Sequence, residues 1–530
     1  MLLSKILTLG RLGLHAFCVV IETDVQRGLF NFVISGLGDK AVGESKLRTI
    51  SAIKNSGYKS PKTLHQKIVV SLSPAGIKKE GTHYDLPIAL SYLLVTRQEA
   101  DKPVEENDII CLGELSLTGE IMPVAHILFF VNEAKKLGYT RFIIPKENED
   151  QSALIEGVCV FGARDLNEAF TAYQYPEKFL KKTVLSLSQK TIRRGFGKTT
   201  KEDMDKSFQI DSVVNQERTK RALMISIAGK HHILLIGSPG SGKSLLAKSA
   251  AELQPDLRHE DAITKEVLFN LSHKAKSPSA RSHDIDDSFL RPPFREPHHT
   301  ASYRSIIGGH EHLGEISLAH KGILMMDECF EFDRRALEAL RQPLEDKTIQ
   351  LQGKDGAEIL PADFLFVGTA NPCRCGYRFS RIKKCSCRAY DISQYTKKMS
   401  GAIVDRIDLY ITTTETGYEQ NGLISKHAGV ENGKSMADKI KKVRNVQEAR
   451  LTKDSDLSPK QQKVQYIKSV RNSLSKEAES VIRQASKNLG ISRRVEDSIL
   501  AVSRTIADLE ENEQVQPEHI LEAVSYRKRD

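Results

Sequence analysis

A glycine-rich turn between an apolar run and a helical pattern constrains this chain most. It lies in LLIGSPGSGKSLLAKSAA, from Leu234 to Ala251. The turn fits GxxxxGK[ST] in the strand–turn–helix context that this motif requires. Its glycines let backbone N–H groups surround phosphates, and the following helix N-terminus adds its dipole. The stretch therefore predicts a nucleotide-binding α/β unit, and a glycine-rich turn that binds nothing is the alternative.

Eight consecutive residues of this turn are expected to bind nucleotide. They are Gly237, Ser238, Pro239, Gly240, Ser241, Gly242, Lys243 and Ser244. In this motif the lysine reaches the β- and γ-phosphates, and the hydroxyl of the final residue binds Mg²⁺. We therefore expect ATP and Mg²⁺ as cofactors, with Lys243 on the phosphates and Ser244 on the metal.

Polar side chains follow two further apolar strands. GILMMDE ends in Asp327 and Glu328, and FLFVGTANP ends near Asn371. The carboxyl edge of a parallel sheet is where ligands bind. Asp327 is expected to hold Mg²⁺, Glu328 to orient and activate the attacking water, and Asn371 to polarise that water against the γ-phosphate. The three strands together predict ATP hydrolysis.

An arginine follows the apolar run in SGAIVDRIDL, near the end of this α/β unit. The glycine-rich turn is called a P-loop. In a P-loop motor built from separate subunits, the nucleotide site of each subunit needs a cation that the neighbouring subunit supplies. We interpret Arg406 as that arginine finger, and a surface salt bridge is the alternative.

Length and charge set wider limits on the chain. With 530 residues it is too long for one core, and its net charge of +10 permits a polyanionic partner without requiring one. No apolar run approaches the roughly 18 to 20 residues of a membrane span. The N-terminal stretch carries Lys5 and Arg11 and lacks a small-residue cleavage site. We expect a cytoplasmic protein without a membrane partner.

Four segments are predicted along this α/β multidomain chain. Residues 1–175 mix short β-runs with helical segments, and residues 176–208 form a polar, basic linker. Residues 209–415 contain the glycine-rich turn. Residues 416–530 begin with a loop of mobile composition and continue with apolar residues at the i, i+3, i+4 spacing of helices.

Four of the eight cysteines crowd into one basic stretch, NPCRCGYRFSRIKKCSC. They are Cys373, Cys375, Cys385 and Cys387. Disulfides are improbable in the cytoplasm, whereas four thiolates can enclose tetrahedral Zn²⁺. The C-x-C spacing is tighter than the usual C-x₂-C, so buried or weakly reactive thiols are the alternative.

Segments along nearly the whole chain resemble the AAA+ ATPases of the ComM (YifB) group, relatives of the magnesium chelatase ATPase subunit. They are GLGDKAVGESKLRTISAIKNSG, KKEGTHYDLPIAL, RPPFREPHHT, GEISLAHKGILMMDE, LEALRQPLED, GTANPCRCGY, SGAIVDRIDL and SRTIADL. The resemblance implies an AAA+ core with a helix-2 insert, followed by a C-terminal helical lid. It identifies Asn371 as sensor 1, Arg406 as the arginine finger and Arg494 as sensor 2. Because the sensor-2 arginine of this group acts across the subunit boundary, it also implies a ring, a homo-hexamer.

The first domain is similar to the proteolytic domain of Lon, which has a ribosomal S5 domain 2-like fold. Lon-type proteolysis needs a serine nucleophile and a lysine base. The matching positions hold His83 and Leu128, so that chemistry is excluded. We interpret the domain as a docking or DNA-guiding module in which His83 is structural.

A hairpin turn is predicted around Gly353-Lys354-Asp355-Gly356. In the family this hairpin precedes sensor 1 and faces the pore, which implies that Lys354 contacts a phosphate backbone. Relatives tend to carry arginine where Gln352 or its neighbour stands here, and a solvated turn residue is the alternative for Lys354.

The resemblance implies an ATP-driven DNA translocase and helicase acting on single-stranded and branched DNA. Its role would be branch migration during recombination in natural transformation. One alternative is a chelatase-type remodelling motor, against which the fused Lon-like domain and the cysteine stretch argue. A nucleotide-gated assembly scaffold is the other, and the intact Lys243, Asp327, Glu328 and Arg406 argue against it.

Overall fold

A computed structural model describes most of the chain. The described residues are 3–96, 108–179, 208–214, 216–272, 289–309, 312–353, 356–380, 382–413, 432–451, 459–490 and 492–527. The chain forms two compact units: Met1–Thr200 with Phe269–Phe289, and Lys201–Leu268 with Leu290–Asp530. Most of the predicted basic linker, most of the loop predicted from residue 416 and part of the predicted insert lie outside the described residues.

The first unit contains a seven-stranded sheet. Its strands are β1 Leu3–Leu12, β2 His15–Arg27, β3 Asn31–Ser35, β4 Gln66–Ser73, β5 Ile109–Cys111, β8 Arg141–Pro145 and β9 Cys159–Ala163. They are arranged in the order β3-β4-β2-β1-β5-β8-β9. The short strands β6 Glu114–Leu115 and β7 Ile121–Met122 pair with each other. Its helices are α1 Lys40–Asn55, α2 Asp85–Thr96, α3 Ile127–Lys136, α4 Glu149–Ser152 and α5 Leu166–Gln174. The predicted mixture of strands and helices is thus confirmed.

Helix α2 forms the centre of the first unit's core. Its sequence DLPIALSYLLVT is almost entirely apolar, and a helix that is apolar on every side is expected to be buried. Its one charged residue, Asp85, is fully buried and accepts a hydrogen bond of 2.6 Å from Arg48. Burial of this helix therefore depends on an internal ion pair.

His83 precedes α2 and is 5% exposed. Its Nε2 donates to the Leu9 carbonyl oxygen at 2.9 Å, and its ring lies 4.2 Å from that of Tyr84 and 4.9 Å from that of Phe130. Burial lowers the pKa of His83 to about 4. These contacts describe a neutral, packed histidine, and Leu128 is buried as well.

The second unit contains a five-stranded sheet whose strands are β10 Ile233–Gly237, β11 Phe294–Arg295, β14 Ile323–Met326, β17 Leu365–Ala370 and β18 Leu409–Thr413. They are arranged in the order β11-β14-β17-β10-β18, and every neighbouring pair is parallel. Two smaller antiparallel pairs are β12 Gly308–Gly309 with β13 His312–Leu313, and β15 Thr348–Gly353 with β16 Gly356–Pro361. The latter pair is the predicted hairpin; its Lys354 lies outside the described residues.

Short and long helices complete the chain. They are α6 Glu217–Gly229, α7 Lys243–Leu253, α8 His259–Ser272, α9 Tyr303–Ile307, α10 Glu315–Leu318, α11 Arg334–Glu338, α12 Arg341–Asp346, α13 Ala389–Thr396, α14 Gly401–Val404, α15 Gly433–Leu451, α16 Pro459–Asn472, α17 Lys476–Leu489, α18 Arg493–Leu509 and α19 Pro517–Ser525. The last five confirm the helical pattern predicted for the C-terminal part. Within the described residues, no helix is both long and apolar enough to cross a bilayer.

One hydrophobic core runs through the second unit. Strands β14 and β17 are buried along their whole length, as expected for parallel strands covered on both faces. The same core includes Leu235 of β10, Leu223 of α6, Ile440 of α15 and Ile499 of α18. The C-terminal helices therefore pack into the core that also holds the sheet.

The buried His83 predicts a loss of stability in mild acid. Because its pKa falls from 6.5 in the unfolded chain to about 4 in the fold, the unfolded chain binds more protons between these values. The stabilisation is complete above pH 6.5 and is lost as the pH falls towards 4. Going from pH 7.5 to 5.0 should cost roughly 2 kcal/mol through this residue.

The measurement is the thermal midpoint of wild type and His83→Gln at the two pH values. The glutamine amide keeps a donor for the Leu9 carbonyl but does not titrate, so the variant should lose less stability in acid than wild type. His15→Gln is the control, because that side chain is 83% exposed. An equal acid sensitivity of wild type and His83→Gln would contradict the assignment.

Candidate nucleotide-binding site

The glycine-rich turn connects the end of β10 to the start of α7. Gly240 and Gly242 both have φ of +79°, in the left-handed region that favours glycine. A Cβ on Gly237 would lie 1.9 Å from Thr413 Oγ1, so a side chain cannot be accommodated there. Ser241 is fixed by a 2.8 Å hydrogen bond to the same threonine hydroxyl. The local sequence is therefore required by the shape of the turn.

Lys243 is the first residue of α7, directly after this turn, and it is 7% exposed. Its Nζ donates to the Ser238 carbonyl oxygen at 3.1 Å. Burial lowers the pKa of Lys243, and the nearby negative charges of Asp327 and Glu328 oppose that shift. The lysine thus bonds to the turn and lies near the two predicted acidic residues. Pro239 lies in the same turn, between Ser238 and Gly240.

Asp327 connects the turn to the neighbouring strands. It follows β14 and accepts from Ser244 Oγ, with distances of 2.9 Å to Oδ1 and 3.2 Å to Oδ2. It also accepts from Thr369 Oγ1, and that oxygen accepts from the Glu328 backbone N–H at 3.0 Å. The hydroxyl and the carboxylate predicted to bind Mg²⁺ are therefore in direct contact.

Thr369 was not among the residues predicted from sequence. It is a polar residue inside the apolar strand β17, two positions before Asn371. Thr369 is the last residue but one of β17, so a polar residue at the carboxyl end of an apolar strand is the signal that could have identified it. It hydrogen-bonds both the carboxylate of Asp327 and the backbone N–H of Glu328.

Glu328 adopts a conformation that is rare for a residue with a side chain. Its φ is +53°, and such strained positions are concentrated at functional sites. Its side chain is exposed, whereas the strand before it is buried. The strand end thus presents a carboxylate to solvent.

Five residues predicted from the sequence come together at one edge of the sheet: Lys243, Ser244, Asp327, Glu328 and Asn371. Strand β17 lies between β14 and β10, so Asn371 at its end lies between the acids and the glycine-rich turn. Because all three strands are parallel, their carboxyl ends meet at this edge. Ser244 and Asp327 supply hard oxygen donors, which fit Mg²⁺.

Arg406 and Arg494 form a separate cluster around one carboxylate. Glu345, in α12, binds the guanidinium of Arg406 through Oε2 and that of Arg494 through Oε1. Arg406 also donates to the Ala402 carbonyl oxygen at 2.5 Å, and its side chain is 7% exposed. Glu345 was not predicted from sequence, because an acid in an amphipathic helix carries no distinctive signal.

The described residues show no hydrogen bond or ion pair from either arginine to the glycine-rich turn or to Asp327 and Glu328. Instead, Arg406 and Glu345 line a cavity of about 1130 Å³, together with Arg304 and Arg341. The cationic cluster is therefore beside an open cavity and is not bonded to the turn of its own chain.

The four clustered cysteines also come together. Sγ of Cys373 lies 3.4 Å from that of Cys375 and 3.7 Å from that of Cys385, and the last two are 3.5 Å apart. All four sulfur atoms, including that of Cys387, lie within 4.8 Å of one another. Backbone N–H groups of Tyr377 and Ser386 lower the pKa of Cys375 to about 6. The stretch thus brings four sulfur atoms close enough together to bind one metal ion.

Models of known families match three parts of the chain. The model of magnesium chelatase, subunit ChlI, matches residues 209–421, and that of subunit ChlI of Mg-chelatase matches residues 21–148. The model of the ChlI C-terminal region matches residues 430–527. The parallel sheet with its P-loop is consistent with the AAA+ fold of this family.

Two relatives match over nearly the whole chain, and a third matches a short segment. The uncharacterized protein YifB of Escherichia coli is 33% identical over 99% of this chain and 97% of its own. Competence protein ComM of Haemophilus influenzae is 31% identical over 99% of this chain and 98% of its own. An archaeal Lon protease of Archaeoglobus fulgidus is 46% identical over 54 residues, 10% of this chain and 9% of its own. The full-length similarity to YifB and ComM, together with the three family models, places the chain in the ComM/YifB family of magnesium-chelatase-like proteins.

Proposed function

We propose that this protein is a ring-forming AAA+ ATPase that uses ATP hydrolysis to move along DNA. The observation that carries the ATPase part is the contact of Ser244 with Asp327 beside a buried Lys243. Family membership supports a motor, and the similarity to competence protein ComM supports a role in competence. The proposed step is branch migration of single-stranded and branched DNA in natural transformation.

Each residue at the sheet edge has its own proposed role in ATP hydrolysis. Lys243 and the N–H groups of the turn bind the β- and γ-phosphates of ATP. Ser244 and Asp327 hold Mg²⁺, which when bound neutralises charge on the phosphate oxygens. Glu328 orients the attacking water and accepts its proton, and Asn371 polarises that water. Thr369 keeps Asp327 and the Glu328 backbone in position.

The arginine cluster supports a ring. Among the residues that the structure describes, Arg406 and Arg494 bind Glu345 and make no hydrogen bond or ion pair to the glycine-rich turn, so a neighbouring subunit's nucleotide is their proposed target. The cavity beside Arg406 provides space for that neighbour. A homo-hexamer then contains complete sites only between subunits.

DNA is the proposed substrate of the ring. The net charge of +10 suits a polyanion, and the hairpin of β15 and β16 is the proposed pore element, with Lys354 on the phosphate backbone. The first unit is proposed as a Lon-like docking module without proteolysis, consistent with the packed, neutral His83. We place the protein in the cytoplasm.

A zinc ion is proposed as a structural cofactor. The edge of a tetrahedron with zinc–sulfur bonds of about 2.3 Å is about 3.8 Å long. The three measured sulfur–sulfur distances, 3.4, 3.5 and 3.7 Å, are close to that edge. Cys373, Cys375, Cys385 and Cys387 therefore fit tetrahedral Zn²⁺.

A chelatase-type remodelling motor is the second candidate, because all three family models bear the chelatase name. The two candidates differ in one measurable response. Single-stranded DNA should stimulate the ATPase of a DNA motor, and the enzyme should displace a strand from a three-strand or forked substrate. ATPase that is indifferent to DNA, with no displacement, would favour the chelatase-type motor.

Glu328→Gln should bind ATP like wild type and hydrolyse it at least about a hundredfold more slowly, because the water loses its orienting base. Lys243→Ala should instead weaken ATP binding itself. Glu513→Gln, an exposed acid in the same unit, is the matched control. The measurement is steady-state ATPase with a separate nucleotide-binding titration, and near wild-type turnover of Glu328→Gln would refute its assignment.

Mixed rings test the arginine finger. Arg406→Ala subunits keep an intact P-loop, and Lys243→Ala subunits keep an intact finger, so mixing two inactive variants should restore ATPase. Since a finger supplied by a neighbour contributes about 10³ or more in rate, the mixture should exceed both parents clearly. If mixed rings form but remain as inactive as the parents, Arg406 does not act between subunits.

Elemental analysis tests the zinc site. Protein purified without chelator should carry about one zinc per subunit, and Cys385→Ser/Cys387→Ser should carry none. Cys159→Ser, which lies outside the cluster, is the control. A wild-type zinc content near zero would reject the site.

A further inference from the structure

The cysteine cluster lies directly against the nucleotide-binding turn. Gly376 is buried in the cysteine stretch, and a Cβ on it would lie 2.7 Å from Pro239 Cδ and 2.8 Å from Pro239 Cγ. Its φ is +82°, and its N–H donates to the Cys373 carbonyl oxygen at 2.9 Å. The backbone between Cys375 and Cys385 thus packs against the P-loop at Pro239.

Both ends of the cysteine stretch are anchored beside the catalytic residues. Cys373 follows β17 closely and is fully buried. The stretch continues into α13, whose Tyr395 packs edge-on against Phe330 at a ring distance of 5.2 Å and hydrogen-bonds Glu331. Phe330 and Glu331 belong to the turn that follows Glu328. The stretch therefore spans from the end of one central strand to the turn after another.

The cluster closes this stretch into a loop. Besides the sulfur–sulfur contacts, the Cys375 N–H donates to Cys387 Sγ at 3.4 Å. Four thiols in contact hold such a loop weakly, whereas a metal bound by four thiolates supplies folding free energy. Metal coordination would therefore hold Gly376 against Pro239, and loss of the metal would release this contact with the P-loop.

We propose that the zinc ion at Cys373, Cys375, Cys385 and Cys387 sets the affinity for ATP by holding Gly376 against Pro239. The inference rests on the proposed zinc site and on nucleotide binding at the P-loop, and it is independent of DNA. Release of zinc lets the turn relax, and the amide groups that bind phosphate lose their alignment. The zinc site is then a support for the nucleotide site of the same subunit.

The first experiment compares one protein in two metal states. Wild type is stripped with a chelator selective for zinc over magnesium, under reducing conditions, and half of it is then reloaded with zinc. Dissociation constants for a fluorescent ATP analogue are measured at constant Mg²⁺. Loss of one charge-assisted phosphate contact predicts about ten- to hundredfold weaker binding in the stripped protein and full recovery on reloading.

The second experiment separates the contact from the metal. Gly376→Ala places a methyl group into Pro239 while all four cysteines remain, so zinc content should stay at the wild-type level and ATP binding should weaken about tenfold or more. Gly157→Ala is the matched control, because Gly157 has φ of +74° and no atom within 4 Å of an added Cβ. Both variants carry the same type of backbone strain, and circular dichroism verifies their folding.

The outcomes distinguish the two proposals. No zinc in wild type would reject the zinc site itself. Zinc in wild type, with equal ATP affinity in stripped and reloaded protein, would overturn the coupling and leave the zinc site standing. Should stripped protein unfold, the Gly376→Ala comparison decides: ATP affinity equal to that of Gly157→Ala overturns the coupling, and a specific loss supports it.

Discussion

The carboxylate of Asp327 is the interaction on which the site depends. It accepts hydrogen bonds from Ser244, at the start of α7, and from Thr369 in β17, while its own backbone follows β14. One side chain thus connects the P-loop helix to two adjacent strands. This connection is possible because β14, β17 and β10 are parallel neighbours whose carboxyl ends meet at one edge. The positions of Glu328 and Asn371 follow from the same geometry.

Charged residues of the second unit lie in two separate groups, and this separation supports the proposed ring. The acids and Lys243 lie at the sheet edge, whereas Arg406 and Arg494 meet at Glu345. A guanidinium that is 7% exposed needs a counter-charge, and Glu345 supplies it in the single chain. A neighbour's phosphate carries the same sign as Glu345, so it can compete for these arginines when subunits assemble. Assembly and nucleotide binding would then be linked.

The cysteine stretch contacts the P-loop through Gly376 and Pro239. Gly376 and Pro239 are far apart in sequence yet in contact, and the close approach explains why a residue without Cβ stands at position 376. The fully buried Cys373 lies at the strand end that also carries Asn371. The first cysteine of the proposed zinc site and the predicted Asn371 thus both follow the same central strand.

The P-loop, the two acids after β14 and the grouping of the four cysteines could be predicted from sequence alone, because each depends on local spacing or on an apolar strand before it. The helices of the C-terminal part and the β15–β16 hairpin were predictable for the same reason. The family could be predicted as well, because its characteristic segments are distributed along nearly the whole chain. The contacts of Thr369 and Glu345, and the close approach of Gly376 to Pro239, could be found only from the folded chain. Each of these residues is ordinary in its own segment, and its role arises from a partner that chain folding brings close. Hydrogen bonds and packing between distant segments leave no periodic signal in the sequence, and only the fold reveals them.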